Sequence, residues 1–281
     1  MGALELGLLA AMCWGFHDVC VRFISQKTPI SACILTVLIV GLIFHIGLMI
    51  PSKEITVISK SAFVLATIAG VSFVIASFCL YYAFKRGPVK LVAPLIASYP
   101  ILSISWAIWI GTPVSKFQIL AVLAIIFGVS IVAVLSDISE EKIPPIGKTI
   151  TLSLIASIAF ACTFATGQAA AELSPHMSVT LVTRIISILL CIIIIYLAGL
   201  TFWPETSAIP WLIAMGCADG FALWCVFSAG ELDNPQYASV TSSIFGLITI
   251  LLAWIFLKEK MTPFQWMGCI MTFVGVGYLA F

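Results

Sequence analysis

Long uninterrupted apolar runs follow one another along almost the whole chain, and short polar links separate them. A helix that crosses a bilayer needs about 20 mostly apolar residues, and the runs have that length. Prolines stand at several links, as in Thr28-Pro29 and Gly87-Pro88, where a helix typically begins. The pattern predicts ten membrane-spanning helices, here numbered spans 1–10, at residues 3–25, 31–50, 62–84, 88–110, 116–136, 149–171, 177–200, 208–230, 234–256 and 264–281.

Composition supports this prediction and excludes other classes of protein. Of the 281 residues, 62% are hydrophobic and 9% are charged, whereas an average soluble domain is roughly 25% charged. The net charge of +1 offers no basic surface for nucleic acid. The nine cysteines form no C-x-x-C pair and lie in apolar runs, where cysteine acts as a small hydrophobe. We therefore expect an integral multi-pass protein of the bacterial inner membrane, with no disulfide framework, metal or cofactor.

The longest polar link, residues 136–148, falls at the midpoint of the chain and suggests an internal repeat. Five spans on each side would place the second copy upside down in the membrane, an arrangement that recurs in transporters. The predicted units are residues 1–138 and 149–281, with a connecting loop at 139–148. Chance matching of two aliphatic-rich segments is the alternative, and the shared Pro, Gln and Gly argue against it. A shift of 147 aligns Pro88 with Pro235, Phe117 with Phe264, Gln118 with Gln265 and Gly128-Val129 with Gly275-Val276, and a shift of 146 aligns Thr28-Pro29 with Ser174-Pro175 and Ala83 with Ala229.

Short motifs near both ends of the chain resemble those of a known family. Span 1 carries Trp14-Gly15, and the sequence Leu257-Lys258-Glu259-Lys260-Met261-Thr262 precedes Gln265, Gly268 and Gly275-Val276. On these residues the whole chain resembles the ten-helix EamA-type branch of the drug/metabolite transporter superfamily. The resemblance implies an all-α fold of two inverted five-helix repeats, secondary transport of a small metabolite, and a substrate path lined by spans 1, 3, 4, 6, 8 and 9. In the first half, Gly111-Thr112-Pro113 stands where the family has Gly-Glu, so the family's loop glutamate is missing there.

Two carboxylates lie deep in predicted spans, Asp18 in span 1 and Asp219 at the centre of span 8. An ionisable residue at membrane depth is costly and is a functional candidate for that reason. Burial favours the protonated form of a carboxyl group, so either aspartate is a candidate proton carrier. An ion pair with Arg22, one turn later on the same face, is an equally weighted alternative for Asp18. Asp219 has no such local partner, which makes it the stronger candidate.

Other polar and aromatic residues accompany the two aspartates. His17 is positioned either to relay protons and bind substrate or to serve as a structural hydrogen-bond donor. Arg184 in span 7 either snorkels to the interface or pairs with a carboxylate, and snorkelling is favoured. Trp14 and Trp224 are close in sequence to the aspartates, and aromatic walls with carboxylates suit an amine. Trp224, however, lies about 140° around the helix from Asp219, so both cannot face one narrow pocket.

A second group of candidates lies in spans 4, 6 and 9. Ser98 and Tyr99 precede Pro100, which frees a backbone carbonyl one turn earlier and is tolerated where the backbone lines a cavity. Gln168 is the strongly polar residue of span 6. Ser239, Ser242 and Ser243 form a stripe on span 9 that either faces a cavity or packs against a neighbouring helix.

These residues predict a secondary active transporter of a small polar metabolite, an amino acid or an organic amine, working by alternating access with possible coupling to protons. An anionic substrate is the alternative, although Arg22 and Arg184 are the deep cations it would need. An embedded enzyme or a non-transporting scaffold is a more distant alternative.

Eight Lys and Arg residues follow odd-numbered spans and three follow even-numbered spans, which places both termini outside, whereas the resemblance implies cytoplasmic termini. The predicted substrate site is Trp14, His17, Asp18, Ser98, Tyr99, Gln168, Asp219, Trp224, Ser239, Ser242 and Ser243, with Arg22 and Arg184 as charge partners.

Overall fold

The computed structural model describes residues 1–52, 57–102, 115–138, 145–233 and 235–280, and within these ranges the protein is built from helices and contains no strand. Eight helices in the described part are long and apolar enough to cross a membrane, and a shorter apolar helix covers Val89–Leu102. The protein is therefore a multi-pass membrane protein. Its α-helices are α1 (Ala3–Ile24), α2 (Ile30–Ser52), α3 (Lys60–Arg86), α4 (Val89–Ile96), α5 (Lys116–Ile138), α6 (Ile146–Ala171), α7 (His176–Leu197), α8 (Ile209–Ser228), α9 (Gln236–Ser242), α10 (Phe245–Leu252) and α11 (Pro263–Ala280).

Most helices begin and end within a few residues of the predicted spans, and two spans differ. Span 9 is divided at residues 243–244 into α9 and α10, and a π-helical turn, Ala253–Leu257, follows α10. Span 4 is interrupted by a turn at residues 97–99, after Pro94 and directly before Pro100. The rest of span 4, the Gly111-Thr112-Pro113 segment and most of the central connecting loop lie outside the described residues.

The main helix pairs link the first half of the chain to the second half. Helix α3 lies along α6 and α1 lies along α8, while α2 contacts α8 and α3 contacts α7. Small residues let these backbones approach, which matters in lipid because apolar burial does not by itself drive helices together. A methyl group on Gly70 of α3 would lie 2.7 Å from the Thr183 carbonyl oxygen, and one on Gly216 of α8 would lie 3.0 Å from the Val37 carbonyl oxygen.

Helices α5 and α11 form a separate pair with each other. Each begins with a capping box, in which a hydroxyl and a glutamine side chain bind the free backbone N–H groups of the first turn. In α5 the Ser115 N–H donates to Gln118 Oε1 over 2.8 Å, and before α11 the Thr262 N–H donates to Gln265 Oε1 over 2.9 Å. The aliphatic and aromatic side chains on the outer surface of the pair are exposed, as expected for helices that face lipid.

Candidate functional site

A small cavity of about 30 Å³ lies at the centre of the bundle. Two carboxylates and a histidine are set among aromatic and aliphatic walls, so the cavity is apolar with a few polar groups. We call it the central cavity, and its walls are Trp14, His17, Asp18, Ile34, Val37, Leu38, Phe73, Ser77, Leu80, Tyr81, Phe160, Phe164, Asp219 and Phe245.

Asp219 is held by donors from two other helices. The Trp14 indole Nε1 donates to Asp219 Oδ1 over 3.0 Å, and Arg184 Nη2 donates to Asp219 Oδ2 over 2.5 Å. The Arg184 side chain is 0% exposed, and its guanidinium carbon lies 4.8 Å from the centroid of the Phe73 ring. The prediction that Arg184 snorkels to the interface is therefore wrong, because the carboxylate and the ring compensate its charge inside the bundle. Arg184 instead pairs with a carboxylate, as the alternative prediction stated.

Asp18 belongs to a different hydrogen-bonded chain. His17 Nδ1 lies 3.0 Å from Asp18 Oδ1, and His17 Nε2 lies 3.1 Å from the Tyr81 hydroxyl oxygen. A neutral His17 protonated on Nδ1 satisfies both contacts, since it then donates to Asp18 and accepts from Tyr81. The second oxygen of Asp18, Oδ2, is buried and has no hydrogen-bond partner among the described residues.

The alternative ion pair between Asp18 and Arg22 is not formed. Arg22 Nη1 instead donates to the Phe84 carbonyl oxygen over 2.7 Å, and Arg22 Nε lies 3.8 Å from Glu259 Oε1. Arg22 sits in the last turn of α1, so its long side chain reaches the end of the bundle, while Asp18 faces inward. Arg22 is a charge partner of Glu259 and not of Asp18.

A second cavity of about 200 Å³, here called the outer cavity, lies between the turn that follows α4, helix α6 and the start of α9. Its polar side chains bind one another: Gln168 Oε1 accepts from Ser239 Oγ over 2.9 Å, and the Tyr99 hydroxyl donates to the Ser239 carbonyl oxygen and lies 2.7 Å from Ser242 Oγ. Gln168 Nε2 also donates to the Val226 and Pro235 carbonyl oxygens. These bonds tie the end of α6 to the broken helix of span 9.

Phe164 lines both cavities and separates them. Its ring stacks on Trp14 with centroids 5.2 Å apart and on Phe160 at 5.8 Å, and it meets Tyr99 edge to face at 5.4 Å. Offset-stacked and edge-to-face contacts at these distances stabilise aromatic rings against one another. The partition between the cavities is therefore a packed aromatic cluster.

The predicted site residues thus separate into three groups. Trp14, His17, Asp18 and Asp219 meet in the central cavity, while Tyr99, Gln168, Ser239 and Ser242 meet at the outer cavity. Ser98 and Ser243 donate to carbonyl oxygens of their own helices, at 2.7 Å to Leu95 and 2.6 Å to Val240, and line neither of these cavities in the described part of the chain. Trp224 stacks on Phe221 and contacts His176, away from Asp219, as its angular offset around α8 implies.

Four aromatic lining residues of the central cavity are not among the predicted site residues: Phe73, Tyr81, Phe160 and Phe164. The residue shift on which the predicted repeat rests identifies three of them. A shift of 146 aligns Trp14 with Phe160, Asp18 with Phe164 and Phe73 with Asp219, and all six line the central cavity. Helix α2 also contributes three lining residues that the family resemblance does not imply, Ile34, Val37 and Leu38.

In the described residues, a bundle of apolar helices surrounds an apolar cavity that holds two carboxylates, and this architecture defines an integral multi-pass membrane protein. Its sequence matches the EamA-like transporter family over residues 1–134 and 147–281, and the chain belongs to that family. An uncharacterized protein of Methanocaldococcus jannaschii is 28% identical over 133 residues, which make up 96% of that protein and 47% of this chain. A solved crystal structure of a protein with 14% sequence identity shares the fold, with a TM-score of 0.72 over 98% of this chain and 96% of that one.

Proposed function

We propose that this chain is a secondary active transporter that binds a small organic amine, or an amino acid through its ammonium group, in the central cavity. The observation that carries the proposal is Asp18 Oδ2, a buried carboxylate oxygen without a partner among the described residues, in a cavity walled by Trp14, Phe160 and Phe164. Aromatic faces and a carboxylate together are the chemistry that binds an ammonium group. Membership of a transporter family favours transport over an embedded enzyme or a scaffold.

Asp18, and not Asp219, is the counter-ion in this proposal. Both oxygens of Asp219 already accept hydrogen bonds, from Trp14 and from Arg184. A substrate that bound Asp219 would have to displace one of these donors and leave a buried polar group unpaired, which is costly. Asp219 therefore acts as a positioning residue that orients Trp14, and Asp18 contacts the substrate.

Proton coupling follows from the same geometry. Asp18, His17 and Tyr81 form a chain of contacts at 3.0 and 3.1 Å, and such chains pass protons between their members. A proton and a substrate cation would compete for Asp18 Oδ2, so the site would release one on binding the other. Exchange of an amine for protons across the plasma membrane is the resulting cycle.

The cavities also favour an amine over an anionic substrate. Arg184 is packed behind Phe73, is bound to Asp219 and does not line the central cavity. Arg22 lies at the end of the bundle beside Glu259. Neither of the deep cations that an anion requires is directed into the described cavity walls.

We further infer that the chain consists of two inverted repeats of five spans, residues 1–138 and 149–281, joined by the loop at 139–148. The capping boxes Ser115/Gln118 and Thr262/Gln265 support this organisation, because both of their members are 147 positions apart. The close contacts of Gly70 with Thr183 and of Gly216 with Val37 support it too, since each member is shifted by 146. The relative from M. jannaschii aligns over nearly its whole length with about half of this chain.

The test is amine uptake into proteoliposomes that contain the purified protein and carry a pH gradient. A thermal-shift screen against amines, betaines, amino acids and sugar phosphates first identifies a ligand, since a ligand that binds the folded state raises its unfolding temperature. Asp18→Asn, which keeps the shape of the side chain, is expected to abolish uptake of that ligand. Asp233→Asn is the matched control, because Asp233 is an exposed carboxylate. Undiminished uptake by Asp18→Asn, or stabilisation by sugar phosphates alone, would overturn the proposal.

A further inference from the structure

The two ends of the bundle differ in how they are closed. We call side A the end at which α1 begins and side B the end at which α1 ends. On side A the Ser59 N–H donates to Ser174 Oγ over 3.0 Å, and on side B Ser31 Oγ donates to the Thr201 carbonyl oxygen over 2.8 Å. The outer cavity lies toward side A, because Glu172 and Pro235, at the end of α6 and the start of α9, line it.

One carboxylate, that of Glu259, binds two helices on side B. Glu259 Oε1 accepts from the Val89 N–H over 3.1 Å, and Glu259 Oε2 accepts from the Lys90 N–H over 3.3 Å. These N–H groups form the free N-terminus of α4, which carries a partial positive charge and favours an anion. Arg22 Nε at 3.8 Å brings the end of α1 to the same carboxylate. Helices α1 and α4 are thus joined through the segment between α10 and α11.

The backbone around Glu259 is shaped to place it there. The π-helical turn Ala253–Leu257 precedes it, and Lys258 adopts a left-handed conformation with φ 55° and ψ 31°. A π-helical turn is rare in proteins, and a left-handed conformation is uncommon for a residue other than glycine. Both features concentrate at functional positions. The Lys90 ammonium group donates to the Lys260 carbonyl oxygen over 3.0 Å, which fixes the other side of the same segment.

In the predicted repeat register the charged pair Arg22 and Glu259 has no charged counterpart. A shift of 146 aligns Arg22 with Gln168, and a shift of 147 aligns Glu259 with Thr112. The neutral amide of Gln168 therefore corresponds to Arg22, and the hydroxyl residue Thr112 corresponds to Glu259. Gln168 lines the outer cavity, so this cavity lies on the side that lacks the charged pair, whereas the pocket beside Glu259 on side B is a more open surface pocket.

We propose that Glu259 is a one-sided gate residue, which holds side B closed and sets the substrate-free protein to rest with side A open. The proposal rests on the alternating-access function proposed above. It adds the residue that shifts the equilibrium between the two open states toward the state open on side A. Opening side B requires Glu259 to leave Val89, Lys90 and Arg22. On side A, Glu231 accepts from the His176 N–H over 2.8 Å, but both residues belong to the second half of the chain. Thr112 stands at the predicted position of a counterpart to Glu259, so closing side A does not form a carboxylate contact of this kind between the two halves, and the two states differ in energy.

Hydrogen–deuterium exchange of the full-length protein in nanodiscs, without substrate, tests this directly. In Glu259→Ala, the amides of Val89 and Lys90 lose their acceptors, and their exchange is expected to rise about tenfold or more, since hydrogen bonds to charged groups are the strong ones. Peptides around the outer cavity, at 172–178 and 235–239, are expected to exchange more slowly as side A closes. Glu205→Ala is the matched control, because Glu205 is an exposed carboxylate that precedes α8 at the same end of the bundle.

Comparison of Glu259→Ala with Glu205→Ala distinguishes a gate from a general effect of losing a carboxylate at this end of the bundle. Faster exchange on side B together with slower exchange on side A supports the gate, and a profile equal to that of Glu205→Ala overturns it. If Glu259→Ala loosens the whole bundle, Glu259→Gln decides, since it removes the charge and keeps the shape. A rise confined to side B in Glu259→Gln supports the proposal, and an unchanged profile overturns it. The measurement needs no substrate, so its result is independent of whether amines are transported.

Discussion

The Trp14 indole donates a 3.0 Å hydrogen bond to Asp219, a residue 205 positions further along the chain. This bond fixes one wall of the central cavity, because Trp14 also stacks on Phe164 at 5.2 Å and meets Phe245 edge to face at 6.5 Å. Asp219 is fixed in turn by Arg184 from α7. Three helices, α1, α7 and α8, therefore determine where a single aromatic ring lies.

Trp14→Phe tests whether this bond positions the ring. The variant keeps an aromatic face toward Phe164 and removes only the N–H donor to Asp219. We expect amine binding to weaken about tenfold, because Asp219 loses one of two hydrogen bonds to a buried charge and the ring loses its anchor. Titration of the ligand by isothermal calorimetry measures the change. Trp224→Phe is the control, since Trp224 Nε1 has no hydrogen-bond partner in the described part of the chain, and equal binding constants for both variants would contradict the role of the bond.

Arg184→Met is expected to destabilise the protein by about 3–5 kcal/mol, because it leaves the Asp219 charge buried without its ionic partner. Replacing both residues, in Arg184→Met with Asp219→Leu, is expected to recover most of that loss, since two apolar side chains carry no desolvation cost. Thermal unfolding in one detergent measures both variants. Lys148→Met serves as the control, because Lys148 is exposed near the start of α6. A double variant as unstable as Arg184→Met would show that the pair acts through something other than charge.

The positions of the helices could be predicted from the sequence, whereas the partner of Arg184 could not. Apolar run length set the helix positions, because the thickness of a bilayer is a local requirement on each segment. The partner of Arg184 lies on another helix and 35 positions away, and no local pattern decides between pairing and snorkelling. The break in span 9 also coincides with contacts to a distant residue, since the Ser239 carbonyl oxygen and Ser242 Oγ bind Tyr99 in the turn after α4. The position of Asp18 and Asp219 deep in their spans could be predicted from the sequence. Their hydrogen-bond partners on other helices could not, because they depend on tertiary packing.

Gly128→Ala and Gly275→Ala are expected to destabilise the pair of α5 and α11 to a similar degree. A methyl group on Gly128 would collide with the Gly268 carbonyl oxygen, and one on Gly275 would lie 2.7 Å from the Ala121 carbonyl oxygen. Overpacking of this kind costs about 1–3 kcal/mol, which unfolding in mixed micelles measures. Gly277→Ala is the matched control, because a methyl group there meets nothing within 4 Å. If all three variants are equally stable, close contact between the two backbones is not what holds these helices together.

Phe164→Ala is expected to join the central and outer cavities, since Phe164 is the residue that lines both. Loss of the ring removes its contacts with Trp14, Phe160 and Tyr99, and the continuous space should admit amines with larger substituents than the wild-type protein accepts. Competition between a small and a bulky tetraalkylammonium ion in the binding assay measures this, as a change in the ratio of their dissociation constants of about tenfold, or 1.4 kcal/mol. Phe63→Ala is the control, because Phe63 is 45% exposed on the outside of α3. A ratio unchanged in Phe164→Ala would mean that the remaining rings close the partition, and that the size of the substrate is set within the central cavity alone.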